Sequence, residues 1–287
     1  MRKTINTKVL PYILLLPTFV GIVIFSFYPF ARTIINSFSF TTEYGEWIKW
    51  AGTYFWEMMF HSADFWPILG RTMIFAIMNF TITFGIAMVL ALLSAKRTRY
   101  GRIYQTLFAL PMAVASATSS VAWRFILRGD GGLLNSWLGT DIGWLTEPST
   151  ALWLVAFVTS WSHVAHSYLF LLAGFRGVSE DVQEAAIVDG AGGITRAVKI
   201  MIPMASPQIF FVLFLNILMA IKTFTQIKLL TGGGPAGTTK TLLYESYVRI
   251  EHGEYEYACC ISIILFLVIF LVTRIQFLFE KKMVHYQ

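Results

Sequence analysis

The sequence has few charged residues and almost no cysteine. Charged residues make up 13% of its 287 positions and hydrophobic residues 56%, whereas an average soluble domain has about 25% charged residues. The two cysteines, Cys259 and Cys260, are adjacent in an apolar run. This arrangement offers neither a disulfide framework nor a CxxC or Cys/His metal site, so we expect them to pack between helices. With a mean hydropathy of +0.63, the composition predicts a membrane protein with several spans rather than a soluble one.

Motifs for catalysis are also missing. The segment most similar to a phosphate-binding loop, Gly232 to Lys240, has Thr238 where GxxxxGK[ST] requires lysine. It has no preceding strand, and we expect an external turn. The sequence contains no HExxH and no serine in a strained-turn motif beside a plausible buried base. We therefore predict that the chain is not an enzyme, has no catalytic residue, and obtains any energy for transport from a partner.

Charge is absent from the stretches that predict membrane spans. Six apolar blocks approach or reach the roughly 20 residues that cross a bilayer, and none contains Asp, Glu, Lys or Arg. The blocks are residues 9–30, 72–94, 104–122, 151–175, 202–221 and 258–273. Carriers driven by proton gradients usually keep a carboxylate within the bilayer, so this absence disfavours them. An ion-coupled secondary transporter remains an alternative, because carbonyls and hydroxyls can hold sodium.

The basic residues predict the orientation. The short loop 95–103 carries Lys96, Arg97, Arg99 and Arg102 and no acid, which is typical of a cytoplasmic loop. With six spans, both termini are then cytoplasmic. The high isoelectric point is explained by this topology, and we predict no nucleic-acid partner.

The polar stretch between the fourth and fifth blocks has a residue pattern that predicts helix. In residues 181–203, Val182, Ala185, Ala186 and Asp189 recur at helical spacing before Gly190 breaks the pattern. A second helical run, 194–202, ends at a proline. We predict two short helices joined by a glycine corner on the cytoplasmic side.

This stretch resembles a known motif. Glu184-Ala185-Ala186, Gly190, Ile200 and Pro203 match the "EAA" loop of binding-protein-dependent ABC importer permeases, with Ile202 in place of the usual leucine. The segment entering the second block, the run from Leu110 to Trp123, and the TGGGP sequence also resemble the carbohydrate-uptake branch of that family, of the maltose and glycerol-3-phosphate type.

The resemblance implies an all-α membrane protein with the type I ABC importer permease fold, six transmembrane helices and cytoplasmic coupling helices. Residues 1–287 would form a single permease domain with a coupling loop at 176–201. The implied partners are a second similar permease, two ABC ATPase subunits that bind ATP and Mg, an extracytoplasmic solute-binding protein and the prokaryotic inner membrane. The chain itself would bind no cofactor. The residues expected to couple to the ATPase are Glu184, Ala185, Ala186, Asp189 and Gly190.

Neutral polar residues within the blocks suggest a substrate pathway. One helical face of the fourth block holds Thr159, Ser162, His163 and His166, and the fifth block and its end hold Asn216, Met219, Ala220 and Thr223. Hydroxyl, amide and imidazole groups suit a sugar, although the same groups also bridge helices in membrane bundles. We predict no metal site, since the two histidines lack further ligands. A neutral sugar is favoured over glycerol phosphate or a polyol, because Lys222 is the only basic residue near this face.

Overall fold

The structure is a computed structural model that describes residues 10–42, 44–96 and 101–283. Within them the chain is mainly helical, as predicted. The strands are β1 (Ser39–Thr41) and β2 (Trp47–Trp50). The helices are α1 (Leu10–Asn36), α2 (Tyr54–His61), α3 (Phe65–Ser94), α4 (Gly101–Ala113), α5 (Ser116–Ile126), α6 (Leu133–Leu138), α7 (Pro148–Arg176), α8 (Glu180–Val188), α9 (Gly193–Met204), α10 (Ser206–Ile221), α11 (Thr225–Leu230), α12 (Leu242–Glu251) and α13 (Tyr255–Met283). The predictions for residues 1–9 and 284–287, and for Arg97 and Arg99, lie outside the described residues.

Three helices, α1, α3 and α13, are each long and apolar enough to cross a membrane. Two pairs pass the same test together but are sharply bent, α4 with α5 by 95° and α9 with α10 by 76°. By length and composition the described residues thus hold three candidate spans, or five if each pair is one span. Helix α7 covers the fourth expected block with 29 residues, but it is not among them, because it is less apolar. The count of six spans stays a prediction.

Prolines explain the two bends. Pro111 in the last turn of α4 cannot donate a backbone hydrogen bond, which weakens the helix just before it ends. Pro207, at the start of α10, cannot donate to the carbonyl of Pro203, so the helix does not continue through Ala205. The straight helix in the fifth block therefore begins at Ser206, whereas the sequence places the start of the block at residue 202.

The chain forms two compact units, and the single-domain assignment stays a prediction. The first unit comprises the chain up to Phe65 and Glu245 to Leu265. In it β1 and β2 form an antiparallel hairpin that the sequence did not predict. The ring of Phe40 contacts Phe55 on α2 with centroids 5.2 Å apart, and a Glu256 oxygen accepts a 2.6 Å hydrogen bond from the Thr41 amide. Aromatic residues of this segment thus build a small ordered lobe.

The first unit also contains a cluster of charged residues around Arg249. Arg249 pairs with Glu245 at 2.7 Å and with Glu254 at 2.6 Å, and its guanidinium lies 4.5 Å from the ring centroid of Tyr257. Burial acts to lower the pKa of Arg249, but its hydrogen bonds to Glu254 and Glu245 outweigh burial and raise the pKa. The α12–α13 turn is therefore held by ion pairs.

The second unit, Trp66 to Tyr244 and Phe266 onward, is organised around α7. Tyr168, Leu171 and Phe175 of α7 are almost fully buried in a core to which α3 and α10 also contribute. On α3 the residues in this core are the small Ala87 and Ala91, which allow the helix backbones to approach closely. Helix α7, which precedes the coupling loop, therefore packs against α10, which follows the loop, and against α3.

Candidate functional site

The predicted coupling loop folds as two short helices with a glycine corner. Ser179 is the N-cap of α8, and its hydroxyl accepts a hydrogen bond from the Asp181 amide at 3.2 Å. Acidic residues in the first turn, Glu180 and Asp181, favour this helix because they face the positive end of its dipole. The helix ends at Val188, and α9 begins at Gly193, close to the boundaries that the sequence predicts.

Gly190 makes the corner possible. Its φ is +80°, in the left-handed region where a side chain is strained. The amide of Ala191 donates to the Ala186 carbonyl at 2.9 Å, and that of Gly190 donates to the Ile187 carbonyl at 3.0 Å. These two hydrogen bonds define a Schellman motif, which satisfies the last carbonyls of α8. The chain then leaves the helix in a fixed direction.

The outer surface of this corner is accessible. Glu184 and Ala185 are exposed, and Ala186 between them and the body of the protein is buried. Val188 and Ile194, on either side of Gly190, are 87% and 83% exposed. Glu184 has no hydrogen bond or ion pair with the described residues. The loop thus offers a free carboxylate beside apolar side chains that nothing in the described chain covers.

The predicted substrate-pathway residues of α7 divide into two groups. Thr159 and Ser162 are buried, and their hydroxyls donate to the carbonyls of Val155 and Val158 in the same helix. His163 and His166 are only partly buried. The Nδ1 atom of His163 lies 3.4 Å from the Asn79 side-chain oxygen on α3, and His166 Nδ1 has no partner in the described structure.

The predicted residues on and after α10 lie mostly in the interior. Asn216 accepts a 2.7 Å hydrogen bond from the hydroxyl of Ser167, which links α10 to α7. Ala220 is buried, and the buried Thr223 hydroxyl donates to the carbonyl of the partly buried Met219 at 3.1 Å. The hydrogen bond to the second predicted stripe thus comes from Ser167, which lies on α7 outside the first predicted stripe.

Sequence reasoning missed the polar residues that join α7 to its neighbours. Asn79 is fully buried and donates to Ser160 at 2.9 Å and to the Ala156 carbonyl at 3.3 Å. It is the only amide side chain in the second apolar block, and that isolation was the available signal. With Ser167, these residues show that hydroxyl and amide groups here also hold helices together.

The glycine-rich segment has the surroundings of a turn rather than of a nucleotide site. It follows helix α11, not a strand. The hydroxyl of Thr239 donates to the Gly234 carbonyl at 2.8 Å, and the Leu242 amide donates to the Thr72 hydroxyl of α3 at 2.9 Å. These contacts attach the segment to the end of α3.

The fold and the exposed loop together define a membrane-embedded transport subunit. The chain belongs to the family described as "Binding-protein-dependent transport system inner membrane component", whose model matches residues 82–285. The matched range includes the whole of α8 and α9. The family that the resemblance to the EAA loop predicted is therefore confirmed.

Curated relatives match over nearly the full chain. The sn-glycerol-3-phosphate transport system permease protein UgpA of Agrobacterium fabrum is 31% identical over 287 residues, which covers 97% of each chain. UgpA of Pectobacterium atrosepticum is 31% identical over 292 residues, with 100% of this chain and 99% of that protein covered.

Solved structures confirm the fold. A bacterial ABC transporter involved in the import of the acidic polysaccharide alginate has a chain that matches with a TM-score of 0.85 at 21% identity, covering 96% of each chain. A second structure, of a bacterial alginate ABC transporter in complex with a periplasmic protein bound to an alginate pentasaccharide, gives 0.84 at 21% identity, with 95% of this chain and 94% of that chain covered. The ABC importer permease fold is thus shown.

Proposed function

We propose that this chain is one of two permease subunits of an ATP-driven, binding-protein-dependent importer for a carbohydrate. It forms half of the translocation pathway in the inner membrane of a prokaryote, with both termini in the cytoplasm. The observation that carries this proposal is the α8–Gly190–α9 corner, with its exposed Glu184 carboxylate. Such a corner suits docking into a cleft of a separate ATPase, because this chain has no ATP-binding motif of its own.

The packing of α7 suggests how docking moves the pathway. Helix α7 leads into α8, and α9 leads into α10, so a shift of the corner acts on both neighbouring helices. The Ser167–Asn216 hydrogen bond and the buried core of Tyr168 and Val212 make α7 and α10 move together. Closure of two ATPase subunits, which bind the ATP and Mg, would drive alternating access through these helices.

A second permease and a solute-binding protein complete the proposed assembly. The partly buried His163, His166 and Met219 are the predicted residues with surface left for a cavity shared with a partner. Thr159 and Ala220 are buried within this chain, so we propose that they support the residues that line this cavity. The periplasmic protein in the alginate transporter structure supports a binding-protein partner.

The substrate is a carbohydrate, and glycerol 3-phosphate is the second candidate. The UgpA relatives favour it, since they are named for sn-glycerol-3-phosphate and match almost the whole chain. The neutral, partly buried side chains of His163 and His166 favour a sugar instead, because imidazole groups form hydrogen bonds without supplying fixed positive charge. Uptake assays with a neutral oligosaccharide and with glycerol 3-phosphate distinguish the two.

The function is tested by purifying the tagged chain from its native host and reconstituting it in liposomes. We expect a second permease and an ATPase to copurify, and ATP hydrolysis to rise when the binding protein carries its substrate. A chain recovered alone, which transports under an ion gradient without ATP, would overturn the proposal.

A matched pair of variants tests the role of the corner. Glu184→Gln removes the negative charge but keeps the size of the side chain. We expect about tenfold less recovery of the ATPase and about tenfold less uptake, because a charge-assisted hydrogen bond is lost. Glu147→Gln, at the exposed N-cap of α7, makes the same chemical change away from the corner and serves as control. Equal recovery of the ATPase with both variants would contradict the assignment of Glu184.

A further inference from the structure

A cleft of about 440 Å³ lies beside the coupling corner, where the ends of α3 and α7 meet α8 and α9. Its apolar lining includes Leu92, Phe175 and Met201. Its charged lining residues are Lys96, Arg176, Arg196, Glu180 and Glu184. Cationic side chains from three separate segments therefore line one cavity.

The two arginines of this cleft are not satisfied by the chain. Arg176 donates from Nη2 to the Ser94 carbonyl at 3.1 Å, which leaves its Nε atom without an acceptor. The Nε atom of Arg196 also has none, and both Nε atoms are shielded from solvent. Neither arginine has an ion pair with the described residues. Both side chains are partly buried overall, but each shielded Nε–H without an acceptor costs free energy. A ligand that supplies acceptors would satisfy both.

The acidic residues of the cleft do not fill this role. Glu184 is exposed and has no ion pair with the described residues, and Glu180 is exposed and makes another interaction. Both lie on α8, whereas Arg176 ends α7 and Arg196 lies in α9. The described residues therefore supply no acceptor for either Nε atom.

We propose that this cleft binds an anionic phosphate group, held by Arg176 and Arg196 with Lys96 nearby. The planar guanidinium matches the oxygen spacing of phosphate, and an ammonium adds a point charge. The cleft lies at the end of the candidate span α3 and at the end of α7. In the proposed topology this is the cytoplasmic membrane surface, where lipid headgroups lie. Basic pockets between helices at that level bind anionic headgroups. The phosphate comes from such a lipid or from a soluble phosphate compound.

Binding at this position acts on the coupling corner. Ile187, Gly193 and Ala197 line the same cleft, so an occupant contacts both helices of the corner. A bound phosphate would hold α8 and α9 against the ends of α3 and α7. It would also stabilise the folded chain, by an amount that rises with the logarithm of the ligand concentration once this exceeds Kd.

The test uses the full chain in nanodiscs of neutral phosphatidylcholine, with thermal unfolding and native mass spectrometry as readouts. Phosphatidylglycerol is added to one series and inorganic phosphate to another. We expect an anionic probe to raise the Tm and to stay bound in the spectrometer. In the double variant Arg176→Gln, Arg196→Gln the apparent affinity should fall about tenfold or more, since two charge-assisted contacts are lost. A response to phosphatidylglycerol alone identifies a lipid site, and a response to phosphate as well identifies a site for soluble compounds.

The control is Arg274→Gln, an exposed arginine on α13 outside the cleft, which should bind like the unchanged chain. If the double variant does not fold, Arg196→Gln alone keeps the Arg176–Ser94 hydrogen bond and should still weaken binding. Equal binding by all variants, or no response to either probe, would overturn the proposal. Loss of ATPase copurification with unchanged anion binding would also overturn it, because the arginines would then pair with a carboxylate of that partner.

Discussion

At the scale of single residues, backbone geometry separates glycines that look alike in the sequence. Gly190 and Gly192 both lie in the corner, and a Cβ at either position would have no atom within 4 Å. Only Gly190 has a positive φ, +80°, whereas Gly192 has extended backbone with φ of −65° and ψ of 167°. Both positions therefore have room for a side chain, but the backbone conformation at Gly190 disfavours any residue other than glycine.

This contrast predicts different outcomes for Gly190→Ala and Gly192→Ala. Alanine in the left-handed region costs about 1–2 kcal/mol, so the first variant should populate the correct corner less and import substrate several-fold more slowly. The second variant should resemble the unchanged chain. Initial uptake rates, normalised to the amount of chain in the membrane, measure the difference. Equal rates for the two variants would show that the corner does not depend on its left-handed residue.

The partly buried histidines also matter at this scale. His163 and His166 are one turn apart on α7, and the sequence assigned both to the pathway together with Thr159 and Ser162. The structure gives Thr159 and Ser162 hydrogen bonds within their own helix and leaves His166 Nδ1 without a partner. Spacing alone could not make this distinction, because residues on one helical face share a direction but not a depth of burial.

At the scale of elements, α7 is the helix against which the second unit is assembled. It meets α10 at Gly174, where an added Cβ would lie 2.7 Å from the Cβ of Gln208. A contact this short with the base of a side chain cannot be relieved by rotation. The close approach of the two helices therefore depends on glycine at this position.

We expect Gly174→Ala to lower the free energy of unfolding by about 1–3 kcal/mol through overpacking. Gly85→Ala on α3 is the matched control, because a Cβ there has no atom within 4 Å and alanine is the better helix former by about 1 kcal/mol. Thermal unfolding of the purified chain in detergent measures both. A Gly174 variant as stable as the Gly85 variant would mean that α7 and α10 are not held at this distance.

Prediction from sequence succeeded for elements with a strong local signal and failed where tertiary contacts decide. The apolar blocks predict α3 and α7 correctly, because a long apolar run is visible in the sequence itself. The glycine corner predicts the α8–α9 pair, because a left-handed backbone position favours glycine. The β1–β2 hairpin was missed because tertiary contacts hold it in place. These contacts come from Phe55 on α2 and from Glu256, which is distant in the sequence. The bend at Ala205 depends on Pro207 rather than on the more noticeable Pro203 of the motif.

At the scale of the whole molecule, the distribution of charge predicts orientation. Helix α3 ends beside Lys96 in the basic loop, and α7 ends at Arg176 before the coupling corner. Helix α6, in contrast, lies in the segment between α5 and α7 that the topology places outside. Trp137 on α6 is 91% exposed, so a labelled cysteine at this position reports on that side of the membrane without disturbing the core.

Cysteine labelling checks this orientation in a chain carrying Cys259→Ala and Cys260→Ala. We expect a membrane-impermeant maleimide to label Trp137→Cys in spheroplasts and to label Lys96→Cys only after the membrane is opened, because basic loops are retained in the cytoplasm. The two positions serve as each other's control for reactivity, since both side chains are exposed. The reverse pattern would place Glu184 and the glycine corner outside the cell, away from ATP. In that case the coupling role of the corner could not stand, however well its backbone suits the task.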